Sequence, residues 1–255
     1  MSRRLLRNVW PPAVLLLGAV AAIEALVQLD VLPGQLVPAP SAVLHVLFVD
    51  LVRQRLHTAV LETALAAAGG LALSTVIGLA TGMLVAGSDL ARRALYPYVV
   101  VLQTLPIIAI APLLAIWVGY DLRSIVLTAC LASLFPVVAA SVAGLRSTDP
   151  ALLDLFRLHQ AGFVATLWKL RLPGALPQIF TGLRVAAGLS VIGAIVGEFV
   201  LAGGLGRRII AAVSAGNEAV VFAAVILASG LGVMFFGLIN LAAWLTLRRW
   251  YAGER

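Results

Sequence analysis

Six apolar segments of about twenty residues or more divide this chain, and each is long enough to cross a bilayer as a helix. A helix rises about 1.5 Å per residue, so roughly 20 residues cover about 30 Å of hydrocarbon. Because backbone polar groups in lipid must bond within their own segment, the pattern predicts an all-α membrane protein with six transmembrane helices. The segments occupy approximately residues 9–29, 60–87, 94–118, 124–145, 178–201 and 219–247.

The composition agrees with a chain that lives in a bilayer. Hydrophobic residues make up 62% of the chain and charged residues 11%, with a mean hydropathy of +1.07. The net charge is +7, but the basic residues flank apolar segments instead of alternating with aromatics on one face. We therefore expect a lipid bilayer as partner, and no nucleic acid. The single cysteine, Cys130, lies in an apolar run, which favours a small core residue over a disulfide or metal ligand.

The basic residues also predict the orientation. A basic start followed by an apolar run also describes a secretory signal, but the run of about 20 residues has no clear cleavage site, which favours an uncleaved first span. With the N terminus inside, thirteen Arg and Lys residues face the cytoplasm and five face outward. This bias predicts cytoplasmic termini and places the polar loop 146–177 in the cytoplasm.

Three regions follow from this topology. Residues 1–57 hold the first span and an external segment, 32–57, whose prolines and mixed helix suit the outer interface. Residues 58–250 form the main transmembrane domain with the loop 146–177, and 251–255 form a short cytoplasmic tail.

Small residues recur every four positions in two spans. Such stripes allow close approach of helix backbones. Ordinary packing within the chain and a subunit interface or moving joint are both open explanations. The stripes are Gly70, Ser74, Gly78, Gly82 and Ala86 in the second span and Gly182, Ala186, Ser190 and Ala194 in the fifth.

The third span contains three prolines, Pro97, Pro106 and Pro112. Proline removes a helical hydrogen bond and clashes with the preceding turn, so we expect this helix to be broken or kinked. Such a helix often lines a cavity, because freed carbonyls need partners. Residues 103–117 are therefore candidates for a solute pathway, with Gln103 and Thr104 as polar side chains, although packing alone also explains them.

Glu198 lies close to the outer end of the fifth span. Because an ionised carboxylate is costly in hydrocarbon, such residues usually face protein or water and often mark a pathway. Glu198 is therefore a candidate gate residue in the pathway or a structural pair residue.

The cytoplasmic loop predicts a short amphipathic helix over 150–160. Asp149 suits the N-cap, and Pro150 suits the first helical position, where no donor is needed. Helical spacing places four residues on one face, while Asp154 and Arg157 share another. The four are Leu152, Leu155, Phe156 and His159. The helix is expected either to dock in a partner protein or to be a solvated surface helix.

An acid in this helix, a small residue after the turn, a Leu-Pro pair and a Gly-Leu-Arg occur in an order that resembles the EAA loop of ABC-importer permeases. Two features depart from that pattern: Leu155 and Phe156 replace two alanines, and Gln160 replaces the turn glycine. The matching residues are Asp154, Ala161, Leu172, Pro173, Pro177, Gly182, Leu183 and Arg184.

The flanking spans extend this resemblance. Trp117 and Gly119 follow the proline-rich span, Phe135 and Pro136 lie in the fourth span, and GEFVLAGGLG follows the fifth at 197–206. This order is most similar to permeases of the nitrate, sulfonate, taurine and bicarbonate group, which includes permeases for vitamin precursors. The resemblance covers roughly residues 60–247.

The resemblance implies a type I importer permease fold in a bacterial inner membrane, working as a dimer of two copies. It implies two further partners, an ABC ATPase and a periplasmic or lipoprotein solute-binding protein. ATP and Mg would be bound by the ATPase, and this chain would hold no cofactor and no metal. The residues implied in ATPase docking are Leu152, Asp154, Leu155, Phe156, Arg157, His159, Gln160 and Ala161, with Leu172, Pro173, Pro177, Gly182 and Arg184 as structural residues of the loop.

Motifs for catalysis are missing from the sequence. Lys169 is the only lysine, and the residues before it do not form a glycine-rich phosphate loop. Hydrolase and metalloprotease patterns do not occur, which argues against a membrane enzyme. An ATP-independent secondary transporter stays open as an alternative, but the inverted repeat that such transporters often carry is not apparent.

Overall fold

A computed structural model describes residues 2–34, 36–49, 56–201 and 203–250, and every regular element in these ranges is helical. We number the α-helices in chain order. They are α1 (Ser2–Gln28), α2 (Pro40–Phe48), α3 (Leu56–Gly87), α4 (Asp89–Thr104), α5 (Ile107–Val118), α6 (Leu122–Arg146), α7 (Pro150–Leu158), α8 (Phe163–Thr166), α9 (Leu172–Leu201), α10 (Gly204–Ser214) and α11 (Glu218–Trp250), with a π-helical turn at Leu167–Arg171 between α8 and α9.

Four stretches of this bundle are long and apolar enough to cross a membrane as single helices. They are Leu56–Gly87, Leu122–Arg146, Phe163–Leu201 and Glu218–Arg248. The pair α4 and α5 makes a fifth span if its two halves are counted together, and Val14–Gln28 is a shorter apolar helix among the described residues. The fifth predicted segment starts earlier than expected, since α9 begins at Leu172 and continues a helical path from Phe163.

The second-span stripe packs against α6 in register. A methyl group at Gly70 would collide with Ala129, and one at Gly78 would lie 2.6 Å from Val137 Cγ1. Between these contacts, Ser133 Oγ donates a hydrogen bond of 2.8 Å to Ser74 Oγ. Residues four apart in α3 therefore contact residues four apart in α6, and the two helix backbones approach closely.

The fifth-span stripe packs on another face of α6. A methyl group at Gly182 would collide with Ala140 and lie 2.6 Å from the Pro136 carbonyl oxygen, and one at Gly193 would lie 2.8 Å from Ala129 Cα. Helix α6 is thus held between α3 and α9. Both small-residue stripes are used inside the chain, which confirms the packing explanation.

The third span is broken at Leu105 and Pro106, where α4 ends and α5 begins at an angle of 106°. Pro106 is the N-cap of α5, a position where its missing N–H leaves no helical bond unmade. The predicted break is therefore confirmed at Pro106. Pro97 and Pro112 lie inside continuous helices, so they do not interrupt the chain in the same way.

Helix α1 joins the bundle through α2. Glu24 near the end of α1 accepts hydrogen bonds from the backbone N–H and the hydroxyl of Ser41, at 3.0 and 2.8 Å. Helix α2, whose Val43 and Val46 are buried, packs on α11. Segment 32–57 thus contains the short helix that the sequence predicted, while its residues 50–55 lie outside the described ranges.

Candidate functional site

Helix α7 begins as the sequence predicted. Asp149 Oδ1 accepts a hydrogen bond of 2.8 Å from the Ala151 N–H, and Pro150 occupies the first helical position. Both features are local, because the cap and the proline act on N–H groups in the first turn. The prediction of a capped helix here is confirmed.

Helix α7 ends in a Schellman turn centred on Gln160. The Ala161 N–H donates to the Phe156 carbonyl at 3.0 Å, and the Gln160 N–H donates to the Arg157 carbonyl at 2.9 Å. This turn requires a left-handed residue, and Gln160 supplies it with φ of +52°. Gln160 therefore adopts the conformation for which glycine is usually chosen at the equivalent turn.

The apolar face of α7 is only partly covered by the described chain, and Phe156 is half-buried. No residue of the helix is buried, and Leu152 and Leu155 are 44% and 47% exposed. His159 bonds its own helix, with Nδ1 2.9 Å from the Leu155 carbonyl oxygen. On another face Arg157 Nη1 pairs with Asp154 Oδ1 at 3.0 Å. The helix therefore offers a partly exposed apolar face beside an exposed ion pair.

The chain from α8 to α9 forms one helical path that starts beside α7. Its π-helical turn ends directly before Leu172 and Pro173. A proline ring clashes with the carbonyl four residues earlier, and the wider π turn relieves that crowding. Pro177 lies inside α9, where the Thr181 hydroxyl donates to its carbonyl at 3.0 Å. The path is continuous but contains a local change of helical pitch at its entry.

Arg171 ties this entry to the end of α3. Its Nη1 donates to the Ala86 carbonyl at 3.2 Å, which suits a cation at a helix C terminus. Its Nε is buried without a partner among the described residues. A polar cleft of about 280 Å³ adjoins it, with Arg146, Thr148 and Leu153 among its lining residues. The cleft links α7, through Leu153, with the ends of α3 and α6.

Arg184 and Gly182 lie further along α9. Arg184 Nε donates to Asn240 Oδ1 at 2.6 Å, so its partner is an amide of α11. Gly182 lies against α6, as described above. These two residues hold α9 between its neighbours.

The candidate pathway residues fall in two places. Gln103, Thr104, Pro106 and Pro112 are exposed along the broken helix pair α4 and α5. The Thr104 hydroxyl donates to the Val101 carbonyl at 2.8 Å. Glu198 is separate from this group, because it lies inside the contact between α3, α9 and α10. The structure therefore does not bring all five residues together.

Glu198 of α9 is 1% exposed, and its side chain lies against the N terminus of α10. Its Oε2 accepts hydrogen bonds from the Gly206 N–H at 2.9 Å and from the Thr63 hydroxyl at 3.0 Å. The same hydroxyl accepts the Leu205 N–H at 3.0 Å. These bonds satisfy donors that a helix N terminus would otherwise leave free. We call Glu62, Thr63 and Glu198 the carboxylate clamp.

Glu62 completes the clamp by accepting the Gly204 N–H at 2.9 Å. Gly204 has φ of +46°, and a methyl group there would collide with the Glu198 carboxylate. Only glycine fits this position, both for its conformation and for the space available. Sequence reasoning missed Thr63 and the capping role of Glu62, since their partners lie far along the chain.

The comparisons with known proteins agree with this architecture. The family described as "binding-protein-dependent transport system inner membrane component" matches residues 74–244. A probable ABC transporter permease protein of Haemophilus influenzae is 39% identical over 170 residues, covering 66% of this chain and 68% of that protein. A formylaminopyrimidine transport permease protein of Halalkalibacterium halodurans is 38% identical over 175 residues, covering 67% of this chain and 69% of that protein.

A solved structure shows the same fold. The inward-facing MetNI methionine ABC transporter matches with a TM-score of 0.66 and 21% identity, covering 75% of this chain and 95% of the matched chain. Permease subunits of this kind are not enzymes, and a separate ATPase hydrolyses ATP. Since the family match covers more than half of the sequence, the chain belongs to the inner-membrane components of binding-protein-dependent transport systems.

Proposed function

We propose that this permease subunit imports a small solute and is driven by an ATPase that docks on α7. The observation that carries the proposal is the exposed apolar face of this capped helix, with Leu152 and Leu155 about half exposed. The face would fit a cleft in the ATPase, and Asp154 or Arg157 would fix its orientation. Phe156, His159, Gln160 and Ala161 would complete the docking surface.

The docked helix would move the membrane domain through the path from α8 to α9. ATP binding would draw two copies of α7 together, and α4 to α9 would turn as a unit. The cavity along residues 103–117 would then open outward, where a loaded solute-binding protein delivers solute, and hydrolysis would reset it inward. Shifting such an equilibrium from 1:99 to 99:1 requires about 5.5 kcal/mol in favour of one state.

The assembly is proposed as a dimer with six spans in each copy. Helix α1 would be the sixth span, in addition to the five counted by length. Both termini would lie in the cytoplasm. The excess of basic residues at the α7 end supports this orientation. One chain carries one α7, so a pair of ATPases would need two copies.

The solute is proposed to belong to the group of sulfonates, nitrate, taurine, bicarbonate and vitamin precursors. A heterocyclic vitamin precursor is the first to test, because a formylaminopyrimidine permease is 38% identical to this chain. Thermal-shift screening of the cognate binding protein against these solutes would identify the ligand. Stabilisation by none of them would exclude the group.

The docking proposal is tested by replacing Asp154 and Phe156 with Ala in the same chain. We expect the double variant to uncouple ATP hydrolysis from uptake or to release the ATPase, because it loses an apolar anchor and the ion pair. Glu218→Ala with Phe222→Ala also removes one acid and one phenylalanine, but at the other end of the bundle, and should retain coupling. Normal uptake by the assembled Asp154 and Phe156 variant would contradict the proposal.

The energy source is tested in proteoliposomes that contain the permease, its ATPase and the binding protein. Solute should accumulate only with hydrolysable ATP. Uphill uptake driven by a proton or sodium gradient without the ATPase would identify a secondary transporter instead.

A further inference from the structure

An arginine-rimmed pocket lies between α4 and α6, next to the polar cleft with which it shares Arg146. Its volume is about 490 Å³. Arg92, Arg93 and Arg146 line it together with an apolar wall that includes Pro97, Val142 and Ala143. The pocket therefore combines a cationic part with an apolar one.

The three arginines of this pocket are not fully neutralised by acidic residues of the described chain. Arg92 Nε lies 3.7 Å from Asp89 Oδ1, and both side chains are substantially exposed, so this ion pair is weak. Arg93 and Arg146 have neither an ion pair nor a hydrogen bond among the described residues. Three guanidinium groups thus meet one carboxylate, and an anion from outside the described chain would be favourable.

The position of the pocket indicates where that anion comes from. Arg92 and Arg93 lie near the start of α4, and Arg146 is the last residue of the membrane-length helix α6, so the cations lie at the ends of these two helices. Pro97 and Val142 lie about one turn further into the same helices. In a bilayer, the cationic part would lie at headgroup depth and the apolar wall would continue toward the hydrocarbon.

We propose that this pocket binds an anionic phospholipid of the leaflet at the α7 end, which is the cytoplasmic leaflet in the orientation proposed above. The arginines would hold the phosphate, since guanidinium groups bind phosphate oxygens in pairs. An acyl chain would lie along the wall formed by Pro97, Val142 and Ala143. Basic pockets between transmembrane helices bind lipid headgroups in this way. A free phosphate would leave the apolar wall unused.

Arg146 places this pocket close to α7. It lines both this pocket and the polar cleft that contains Leu153 and Arg171. A bound headgroup would thus lie next to the proposed docking helix.

The lipid is tested by native mass spectrometry of the complex with its ATPase, purified in a neutral detergent. Phosphatidylglycerol, phosphatidylcholine and glycerol 3-phosphate are the probes. We expect phosphatidylglycerol to be retained at least about tenfold more strongly than phosphatidylcholine, and glycerol 3-phosphate not to displace it. Equal retention of both lipids, or displacement by glycerol 3-phosphate at equal concentration, would overturn the proposal.

The site is tested with two charge-matched variants. Arg92→Gln with Arg93→Gln should reduce retention of phosphatidylglycerol about tenfold, whereas Arg207→Gln with Arg208→Gln, which removes the same charge from α10, should not. Equal losses in both variants would show a general charge effect and reject the pocket. Ala143→Trp keeps every arginine but fills the apolar wall, and unchanged retention in this variant would also reject the proposal. This last variant decides the question even if the arginine variants fold poorly.

Discussion

Helices α7 and α10 are short amphipathic helices beside opposite ends of α9, and the protein holds them differently. Helix α7 is capped by Asp149 immediately before it and has no buried residue. Helix α10 has glycine as its N-cap and takes its capping groups from α3 and α9. Its first three residues, 204–206, are buried.

The difference indicates which helix has its polar groups satisfied within the chain and which leaves a surface for a partner. The N terminus of α10 is satisfied within the bundle, so it is fixed to α3 and α9 before any partner arrives. The apolar face of α7 stays partly exposed, with Leu152 and Leu155 about half exposed, and burial of apolar surface is favourable by about 25 cal/mol per Å². We therefore expect changes near α10 to affect stability and changes in α7 to affect association.

The largest effect is expected for Glu198→Ala. The substitution removes the acceptor of the Gly206 N–H and leaves a cavity, so the free energy of unfolding should fall by roughly 3 kcal/mol. Thermal unfolding of the purified protein in detergent measures it. Glu198→Gln keeps the side-chain shape and one hydrogen-bond acceptor, so it should lower the free energy of unfolding by less. Glu62→Ala, at an exposed site, should lower it by less again. An unfolding midpoint unchanged by Glu198→Ala would show that the carboxylate clamp does not stabilise the α10 end.

Gly204→Ala should destabilise the same end by roughly 2–3 kcal/mol. The added methyl group collides with the clamp and is held at a positive φ, and both effects oppose folding. Gly174→Ala is the matched control near the α7 end, because a methyl group at Gly174 meets nothing within 4 Å. The control should be neutral or slightly stabilising, since alanine favours helix. Similar unfolding midpoints for the two variants would contradict this account.

Leu155→Ala should act on association instead of stability. Its side chain is 47% exposed, so the unfolding midpoint should hardly change. ATPase affinity should fall about tenfold, equivalent to about 1.4 kcal/mol, because the apolar face loses an anchor. Leu158→Ala lies outside that face and should have the smaller effect on affinity. Titration of the ATPase onto the purified permease compares them, and a larger loss for Leu158→Ala would place the docking face elsewhere.

The smallest effect is expected for Gln160→Gly. Glycine relieves the left-handed backbone at the end of α7 and should stabilise this turn by roughly 0.5–1 kcal/mol. Hydrogen exchange at the Ala161 amide reports the local opening. Gln160→Ala keeps a Cβ atom and should bring no such gain. Slower exchange in the alanine variant as well would rule out backbone strain as the cause.

The features that sequence reasoning predicted are those set by neighbouring residues. The cap at Asp149, the break at Pro106 and the length of the apolar segments all depend on groups within one or two helical turns. The contact between Thr63 and Glu198 joins residues 135 positions apart, and no local pattern identifies such a pair. The apolar window predicts a start near residue 178, but α9 begins at Leu172 because the helix continues across Pro173 and Pro177 from the π-helical turn.

The residues alone predict a bundle of membrane helices with one capped amphipathic helix in its polar loop. These features follow from transfer free energies and local hydrogen bonds, which are properties of short segments. Three contacts follow instead from the packing of distant segments: α6 receives the stripes of both α3 and α9, Glu198 caps α10, and Arg146 lies near Arg92 and Arg93 beside an apolar wall. Small-residue stripes fit many partners, and which surfaces meet depends on the arrangement of the whole chain.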